Sequence, residues 1–272
     1  MTWLSRDRIL CVAFSLWAVG PARADQPLWE AGVGAAGLRL PHYRGSNQSN
    51  QWLLPLPFLI YRGDVLRADR DGARALLFES QRIDLDLSFA ASAPSNSDDN
   101  LARQGMPDLA PTVEIGPKLN LNLWRDARSK LDLRLPLRAV ITLQSRPRAI
   151  GWSLEPVLNL DHKVLGFDLG LQAGPLWGSR KLHGYFYDVA PVDASSARPA
   201  YQAKGGWAGW QATAALSRRF GPAWAGLYVR SDSLRGATFE DSPLVRSRHA
   251  LAYGVAMSWV LATSQARVPD RD

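Results

Sequence analysis

The sequence predicts an all-β protein: a transmembrane antiparallel β-barrel of about twelve strands. Three observations carry that expectation. Apolar and polar residues alternate in segment after segment, the sign of a strand with two unlike faces. Many of these segments run for about 10–13 residues, long for a soluble strand and suited to a tilted membrane crossing. Tryptophan and tyrosine gather near the segment ends (Trp29, Trp52, Tyr61, Trp124, Trp177, Tyr185, Trp207, Trp224 and Trp259), as interfacial girdles require.

The strands are expected near 28–40, 51–62, 73–79, 82–92, 112–124, 130–142, 149–161, 166–177, 185–190, 207–219, 223–231 and 249–261. The first is glycine-rich. Missing side chains there permit strong curvature or close approach of another segment. In the fourth, Ile83, Leu85, Leu87 and Phe89 alternate with Arg82, Asp84, Asp86 and Ser88. In the fifth, Val113, Ile115, Leu119, Leu121 and Leu123 oppose Glu114, Lys118, Asn120 and Asn122. The sixth sets Leu131, Leu133, Leu135 and Leu137 against Asp132, Arg134 and Arg138. Ile150, Trp152, Leu154, Leu158 and Leu160 then share a face opposite Ser153, Glu155, Asn159 and Asp161, and Phe167, Leu169 and Leu171 oppose Asp168 and Gln172. Leucine is a middling strand former, and a lipid-facing row explains its abundance because such positions need apolar bulk. The charged rows then face a polar lumen. In the last strand Gly254, Met257 and Trp259 have the spacing of an outer-membrane assembly signal, with a polar tail after it.

Residues 1–24 read as a cleaved signal peptide. Arg6 and Arg8 form a basic start, residues 9–20 an apolar stretch too short to span a bilayer comfortably, and Ala22-Arg23-Ala24 a cleavage site. The barrel is expected over 25–262 and a polar C-terminal tail over 263–272. Ile9 and Leu10 do not supply the small residues a lipoprotein signal needs before Cys11. Cys11 is the single cysteine of the 272 residues, so the mature chain has no disulfide, thiolate nucleophile or cysteine metal site. The net charge of +7 is mild for this length and argues against nucleic acid as a partner. Hydrophobic residues at 46% exclude disorder of the chain as a whole. Export and barrel together place the protein in the bacterial outer membrane, in contact with its lipid and lipopolysaccharide.

Several short motifs, in order along the mature chain, resemble the MipA/OmpV family (MltA-interacting protein) of outer-membrane proteins. They are Pro41-His42-Tyr43-Arg44-Gly45-Ser46; Leu56-Pro57-Phe58-Leu59-Ile60-Tyr61-Arg62; Gly105-Met106-Pro107-Asp108 with Pro111-Thr112-Val113-Glu114-Ile115-Gly116-Pro117; Tyr185-Phe186-Tyr187-Asp188-Val189; Leu234-Arg235-Gly236-Ala237; and Asp241-Ser242-Pro243-Leu244-Val245. The resemblance implies an outer-membrane barrel. For the best-known members it also implies a scaffold linking a lytic transglycosylase to a peptidoglycan synthase, while others are described as adhesins or antigens. Asp188 stands where the family pattern suggests glycine.

Other motifs are weaker. Gly32-Val33-Gly34-Ala35-Ala36-Gly37 spells a dinucleotide fingerprint, but Pro41 interrupts the required helix and no acidic residue occurs between Glu30 and Asp64. His42, His162 and His183 fall in predicted loops and His249 begins the last strand, without metal-like spacing. Ser242, His249 and Asp241 could be drawn as a hydrolase set, yet Ser242 has no nucleophile elbow and Asp-Ser-Pro is turn composition. No catalytic, cofactor-binding or metal-binding residue is therefore assigned, and no cofactor. Lys130, Arg138, Arg146 and Arg148 make 125–148 basic, read chiefly as turns and lumen charges. The expected function is a non-enzymatic scaffold or interaction protein, with a narrow channel as the alternative. Counting from a periplasmic N-terminus, residues 93–111 fall between strands four and five on the periplasmic side, as a partner-docking segment or a plug.

Overall fold

The computed structural model describes residues 25–69, 72–80 and 82–269; the predicted leader and its cleavage site lie outside them. After a two-residue piece, β1 (Gln26–Pro27), the chain winds as β2 (Trp29–Pro41), β3 (Ser49–Arg62), β4 (Leu66–Asp69), β5 (Gly72–Glu79), β6 (Ile83–Ser92), β7 (Thr112–Arg125) and β8 (Ser129–Thr142). It continues as β9 (Ala149–Leu154), β10 (Val157–Val164), β11 (Phe167–Gly178), helix α1 (Arg180–Tyr187), β12 (Gly206–Phe220), β13 (Ala223–Ser233), β14 (His249–Thr263) and β15 (Arg267–Val268). Sequential strands pair antiparallel throughout. β9 and β10 are one barrel strand interrupted at Glu155-Pro156, since both pair with β8 and with β11. Proline lacks the N–H a ladder needs, and Gly174 makes room for the break: a Cβ there would lie 1.8 Å from the Pro156 carbonyl oxygen. The ring therefore closes as a twelve-stranded antiparallel barrel.

Closure is made by β14 on β2, from Tyr253↔Arg39 to Thr263↔Glu30. The glycine run is what allows it. A Cβ on Gly32 would sit 1.9 Å from the Trp259 carbonyl oxygen, and one on Gly34 2.7 Å from that of Met257. The tail after β14 doubles back, and β15 pairs with β1.

The two ends of the barrel differ. At the end holding Trp29 and both described termini, turns 63–65, 126–128, 165–166 and 221–222 are short. At the other end lie the long segments 42–48, 93–111, 143–148, 179–205 and 234–248. Short turns are the periplasmic ones and long loops the extracellular ones in such barrels.

The faces follow the alternation. Asp132 is 2% exposed and Leu137 46%, so the leucine row of β8 points to lipid and its charged row to the lumen. Leu53, Leu59, Leu77, Leu123, Leu158, Leu171, Leu227, Val255 and Met257 continue the outer belt. Trp124 and Trp259 stand outward near the periplasmic end, and Trp152 and Trp210 near the other. Among the described residues no helix is long and apolar enough to cross a membrane.

Three expectations need correction. The segment 185–190 is not a strand: its first half ends α1, and only Val189 makes a bridge, to Tyr201. Ser179 caps α1 by accepting from Leu182 N–H, and His183 and Tyr187, one turn apart, are buried together, so tertiary packing overrides the β preference of the aromatic run. β4 was not expected. These two errors cancel in the strand count but not in its parity, so 93–111 lies at the end opposite the termini, not beside the periplasmic turns. Trp52 and Trp224 do not join the girdle either; they stand on the inward rows, paired with Leu38 and Ser258.

Candidate functional site: the loop cap and the cavity beneath it

The inward rows form ion-pair clusters along the lumen wall, most of them between residues of one strand or of adjacent strands. Near the periplasmic end Glu30 bonds Arg62 and Arg219, each at 2.7 Å. Next, Asp86 holds Lys118 at 3.4 Å and accepts from Asn120 Nδ2 at 2.8 Å. Asp132 is shared by Lys130 (3.1 Å) and Arg134 (3.5 Å), and Arg134 also reaches Asp161 (3.6 Å). Arg138 lies between Glu155 (3.4 Å) and Glu114 (3.9 Å), and its Nε donates to Ser88 Oγ. Highest in the barrel, Asp232 takes both Arg44 (3.0 Å) and Arg230 (3.2 Å). Charges with such partners are tolerable where an unpaired charge is not. The basic stretch of the sequence is thus divided: Lys130 and Arg138 serve the lumen, while Arg146 and Arg148 sit on the exposed outer loop.

Above these clusters the long loops pack into a cap with its own apolar core. Tyr43, Ala102, Leu109, Tyr187, Val189, Ala203, Leu234, Phe239 and Leu244 are buried in it. Tyr187 stacks on Phe239 with ring centroids 3.8 Å apart, and His183 meets Phe239 edge-on at 4.6 Å. Both tyrosine hydroxyls are spent on carbonyls, Tyr43 on Leu244 and Tyr187 on Arg44, each at 2.7 Å. Burial raises both phenols, Tyr43 to about 12. Burial also pushes the His183 imidazole down from its ordinary value, against the hydrogen bond of its Nδ1 to the Lys204 carbonyl at 2.7 Å.

Arg103 is 3% exposed and knits the cap. Its guanidinium donates to Ser97 Oγ, the Phe186 carbonyl and the Pro107 carbonyl. Burial lowers it from the usual guanidinium value. Arg198 clamps the carbonyls of Ala102, Gln104 and Asp193 in the same way. Asn100 Nδ2 donates to Ser46 Oγ at 3.0 Å and lies 3.1 Å from His42 Nδ1.

Five of the six sequence motifs contribute here, the third through residues 105–108, while its Thr112–Pro117 part lies on β7. Gly45, at φ +98°, holds a left-handed turn whose carbonyl accepts from Arg246 and Ser247 N–H. Met106 packs on the apolar core, Asp108 accepts from Ser97 N–H, and Tyr185 accepts from Ala110 N–H. Asp188, the departure from the family pattern, accepts from Ala203 N–H at 2.6 Å and Arg180 at 3.0 Å. The Ser242 hydroxyl is buried and donates to the Tyr187 carbonyl at 2.8 Å. That bond makes Ser242 a loop brace, while His249 stands exposed at the start of β14. His162 is on β10, bonded to Ser129, and His183 is buried on α1; neither is an exposed loop residue. The sixth motif, 56–62, is in the wall on β3.

Between the cap and the ion pairs lies a cavity of about 350 Å3. Trp52, Leu109, Phe186 and Phe239 give it apolar walls, and Glu114, Glu155, Arg44 and Arg230 charged ones. A second space of about 250 Å3, lined in part by Leu38, Gln172, Trp224 and Tyr228, lies in the barrel. Sequence reasoning did not anticipate the cap. Its signal was present: the motifs that matched were loop motifs rich in aromatics, whereas loops lacking a shared core are polar.

A closed barrel of amphipathic strands, apolar outside and charged within, with aromatic residues toward both rims, defines an outer-membrane β-barrel protein. The family model of the MltA-interacting protein MipA matches residues 33–261, and the chain belongs to that family. A comparison with curated proteins gives no match. Among solved structures, a bacterial polysaccharide outer membrane secretin is similar at 8% identity and TM-score 0.43, over 86% of this chain and 99% of that one. An outer membrane channel from Pseudomonas putida F1 gives 10% identity and TM-score 0.36, over 89% and 98%. Outer membrane phospholipase A from Escherichia coli, an active-site mutant, gives 12% identity and TM-score 0.34, over 89% and 93%.

Proposed function

We propose that the protein is a non-enzymatic scaffold of the outer membrane, a barrel that holds a partner at the membrane rather than passing solute. The observation that carries this reading is the packed loop cap over the lumen, with ion pairs lining the wall at successive levels beneath it.

The family name, MltA-interacting protein, supports MltA as a partner, and the resemblance to the best-known members implies a lytic transglycosylase and a peptidoglycan synthase. Murein enzymes work in the periplasm, so docking belongs to the end with short turns and not to residues 93–111. That end offers a basic arc on neighbouring strands: Arg125, Arg128, Lys163 and Arg218. The arc is ordered. Lys163 N–H donates to the Arg128 carbonyl at 2.8 Å, and the Arg218 guanidinium lies over Phe167 at 4.8 Å and Phe220 at 5.1 Å. Asp126 is tied to the backbone of its own turn, through Arg128 and Ser129 N–H. Rim charges of one sign govern association with an oppositely charged partner.

Co-purification in mild detergent, with mass spectrometry of bound envelope proteins, tests the reading. The parent chain should retain a murein enzyme, and the double variant Arg128→Glu/Lys163→Glu should lose most of it. Equal recovery of the same proteins with both chains would refute the arc as the docking face, and no enriched envelope protein would refute the scaffold.

A further inference from the structure

The barrel wall is incomplete at one place. β3 pairs with β4 only at Tyr61↔Ala68 and Arg62↔Arg67. Among the described residues, the rest of β3 has no strand partner on that side. β6 meets β5 only up to Arg74↔Ser88, so Phe89–Ser92 face the same gap. The gap is framed. Below it is the short β4–β5 hairpin. Above it, Leu101 N–H donates to Gln48 Oε1 at 2.7 Å and Asn100 to Ser46 Oγ, joining loops 93–111 and 42–48 as a lintel.

The sequence of β3 is built for an open edge. Arg62 N–H donates to the Leu28 carbonyl, so even-numbered residues of β3 direct their backbone polar groups at β2. Odd-numbered ones direct theirs at the gap. Pro55 and Pro57 are both odd-numbered. Proline has no N–H to leave unsatisfied there, and it also blocks the addition of a foreign strand. β3 is moreover apolar on both faces. Leu53, Pro55, Pro57 and Leu59 point to lipid, while Trp52, Leu54, Leu56, Phe58 and Ile60 form the inward row paired with β2. On β8 the inward row is charged. Leu56 is 41% exposed although it stands on the inward row, as a residue beside open space would be. The other edge of the gap carries Ala90, Ala91 and Ser92, whose small side chains leave the way clear.

The cavity beneath the cap reaches both edges, with Asn50 and Trp52 on one side and Ala90, Ala91 and Pro94 on the other. Its volume is within the range of small-molecule sites. On its far wall Arg44 and Arg230 share the single carboxylate of Asp232, which leaves one positive charge in excess there. The opposite charged group sets two carboxyl groups, Glu114 and Glu155, around the single guanidinium of Arg138.

We propose that the gap between β3 and β6 is a lateral port from the outer leaflet, and that the cavity takes a single-chain amphiphile with a carboxylate head, of the fatty-acid class. The head seats at Arg230 and Arg44, away from the Glu114–Glu155 wall. The chain lies along Trp52 and the inward apolar row of β3. An acyl chain passes the edge without crossing a polar rim, because β3 is apolar outside and inside. Binding of an amphiphile is independent of the periplasmic scaffold role, and either can fail without the other.

The test uses the full mature chain in lipid nanodiscs and cis-parinaric acid, a fluorescent fatty acid, as probe. Saturable binding above that of protein-free nanodiscs is expected, at about one probe per barrel. Ala90→Trp, which narrows the gap, should weaken it at least tenfold. Arg230→Gln should weaken it about fivefold while leaving competition by dodecanol, an uncharged amphiphile, unchanged. As a second measurement independent of those variants, dibromostearate should quench a fluorescence component that is missing from Trp52→Phe. Absence of saturable binding overturns the proposal. So does undiminished binding in Ala90→Trp or Arg230→Gln that retains heat-modifiable gel mobility, or equal quenching of parent and Trp52→Phe. A dimer cross-linked through β3 would also overturn it, because the gap would then be an interface.

Discussion

Tyr187, the last residue of α1, and Phe239, in the loop before β14, stack with their rings 10° from parallel and centroids 3.8 Å apart. They come from different loops, so the stack joins two loops of the cap that the chain alone does not hold together. Truncating Phe239 to alanine removes a fully buried ring and should cost about 3–5 kcal/mol. Tyr187→Phe keeps the stack but loses the bond to the Arg44 carbonyl, at about 1 kcal/mol. Denaturant titration of refolded barrels should rank the two in that order. If Tyr187→Phe were the more damaging, the hydroxyl and not the stack would hold the cap.

Leu133 and Arg134 are neighbours on β8 with opposite surroundings. Leu133 pairs with Leu158 and Leu121 on the lipid side. Leu133→Arg should cost roughly 2–4 kcal/mol if near the bilayer midplane. Arg134→Leu should be milder, because Lys130 and Asn122 still hold Asp132. The same refolding assay decides, and the reverse ranking would mean that the faces are interchanged.

His183 gives the cap a pH dependence of known sign. Burial depresses its folded value below the ordinary one near 6.5. A depressed histidine binds fewer protons folded than unfolded, so its contribution is complete above the unfolded value. Stability falls as pH drops below that value and stops falling once the folded value is passed. Proteolysis of the cap loops should accelerate between neutral pH and pH 5, and His183→Gln should flatten that profile. An unchanged profile in the variant would assign the effect to another group.

Gly32 tests the closing seam. Any side chain at this position meets the β14 backbone at Trp259, and backbone cannot move aside as a flexible side chain can. Gly32→Val should therefore abolish the heat-modifiable, folded form in a gel, whereas Gly221→Ala, with nothing within 4 Å and only the strain of a left-handed φ of +59°, about 1–2 kcal/mol, should keep it. Normal assembly of Gly32→Val would show that β2 and β14 do not meet closely.

The wall of this barrel was legible because lipid imposes one rule on every crossing strand. The leucine rows of β7 and β8 and the charges between them follow period two, and the clusters around Asp86, Asp132 and Arg138 use residues named from that pattern, whereas those around Glu30 and Asp232 do not. Where the rule lapses, reading fails. β4 is four residues long between Asp64 and Arg70-Asp71, too short for alternation to register, although Asp71-Gly72 is a hairpin signal. α1 is defined by its Ser179 cap and by burial against Phe239, not by a long amphipathic pattern. The cap depends on loops that approach one another only in three dimensions, and spacing along the chain carries no information about such contacts. One overlooked strand then moved 93–111 from one side of the membrane to the other, because orientation in a barrel depends on parity.

The central claim, a barrel closed by its cap, is tested most directly by single-channel recording in planar bilayers. The intact chain should show no stable open steps. Replacement of residues 95–106 by a short Gly/Ser turn removes Arg103 and Asn100 from the cap, and should give an assembled barrel with larger ion flux. Steady stepwise conductance from the intact chain, unchanged by that replacement, would contradict the account.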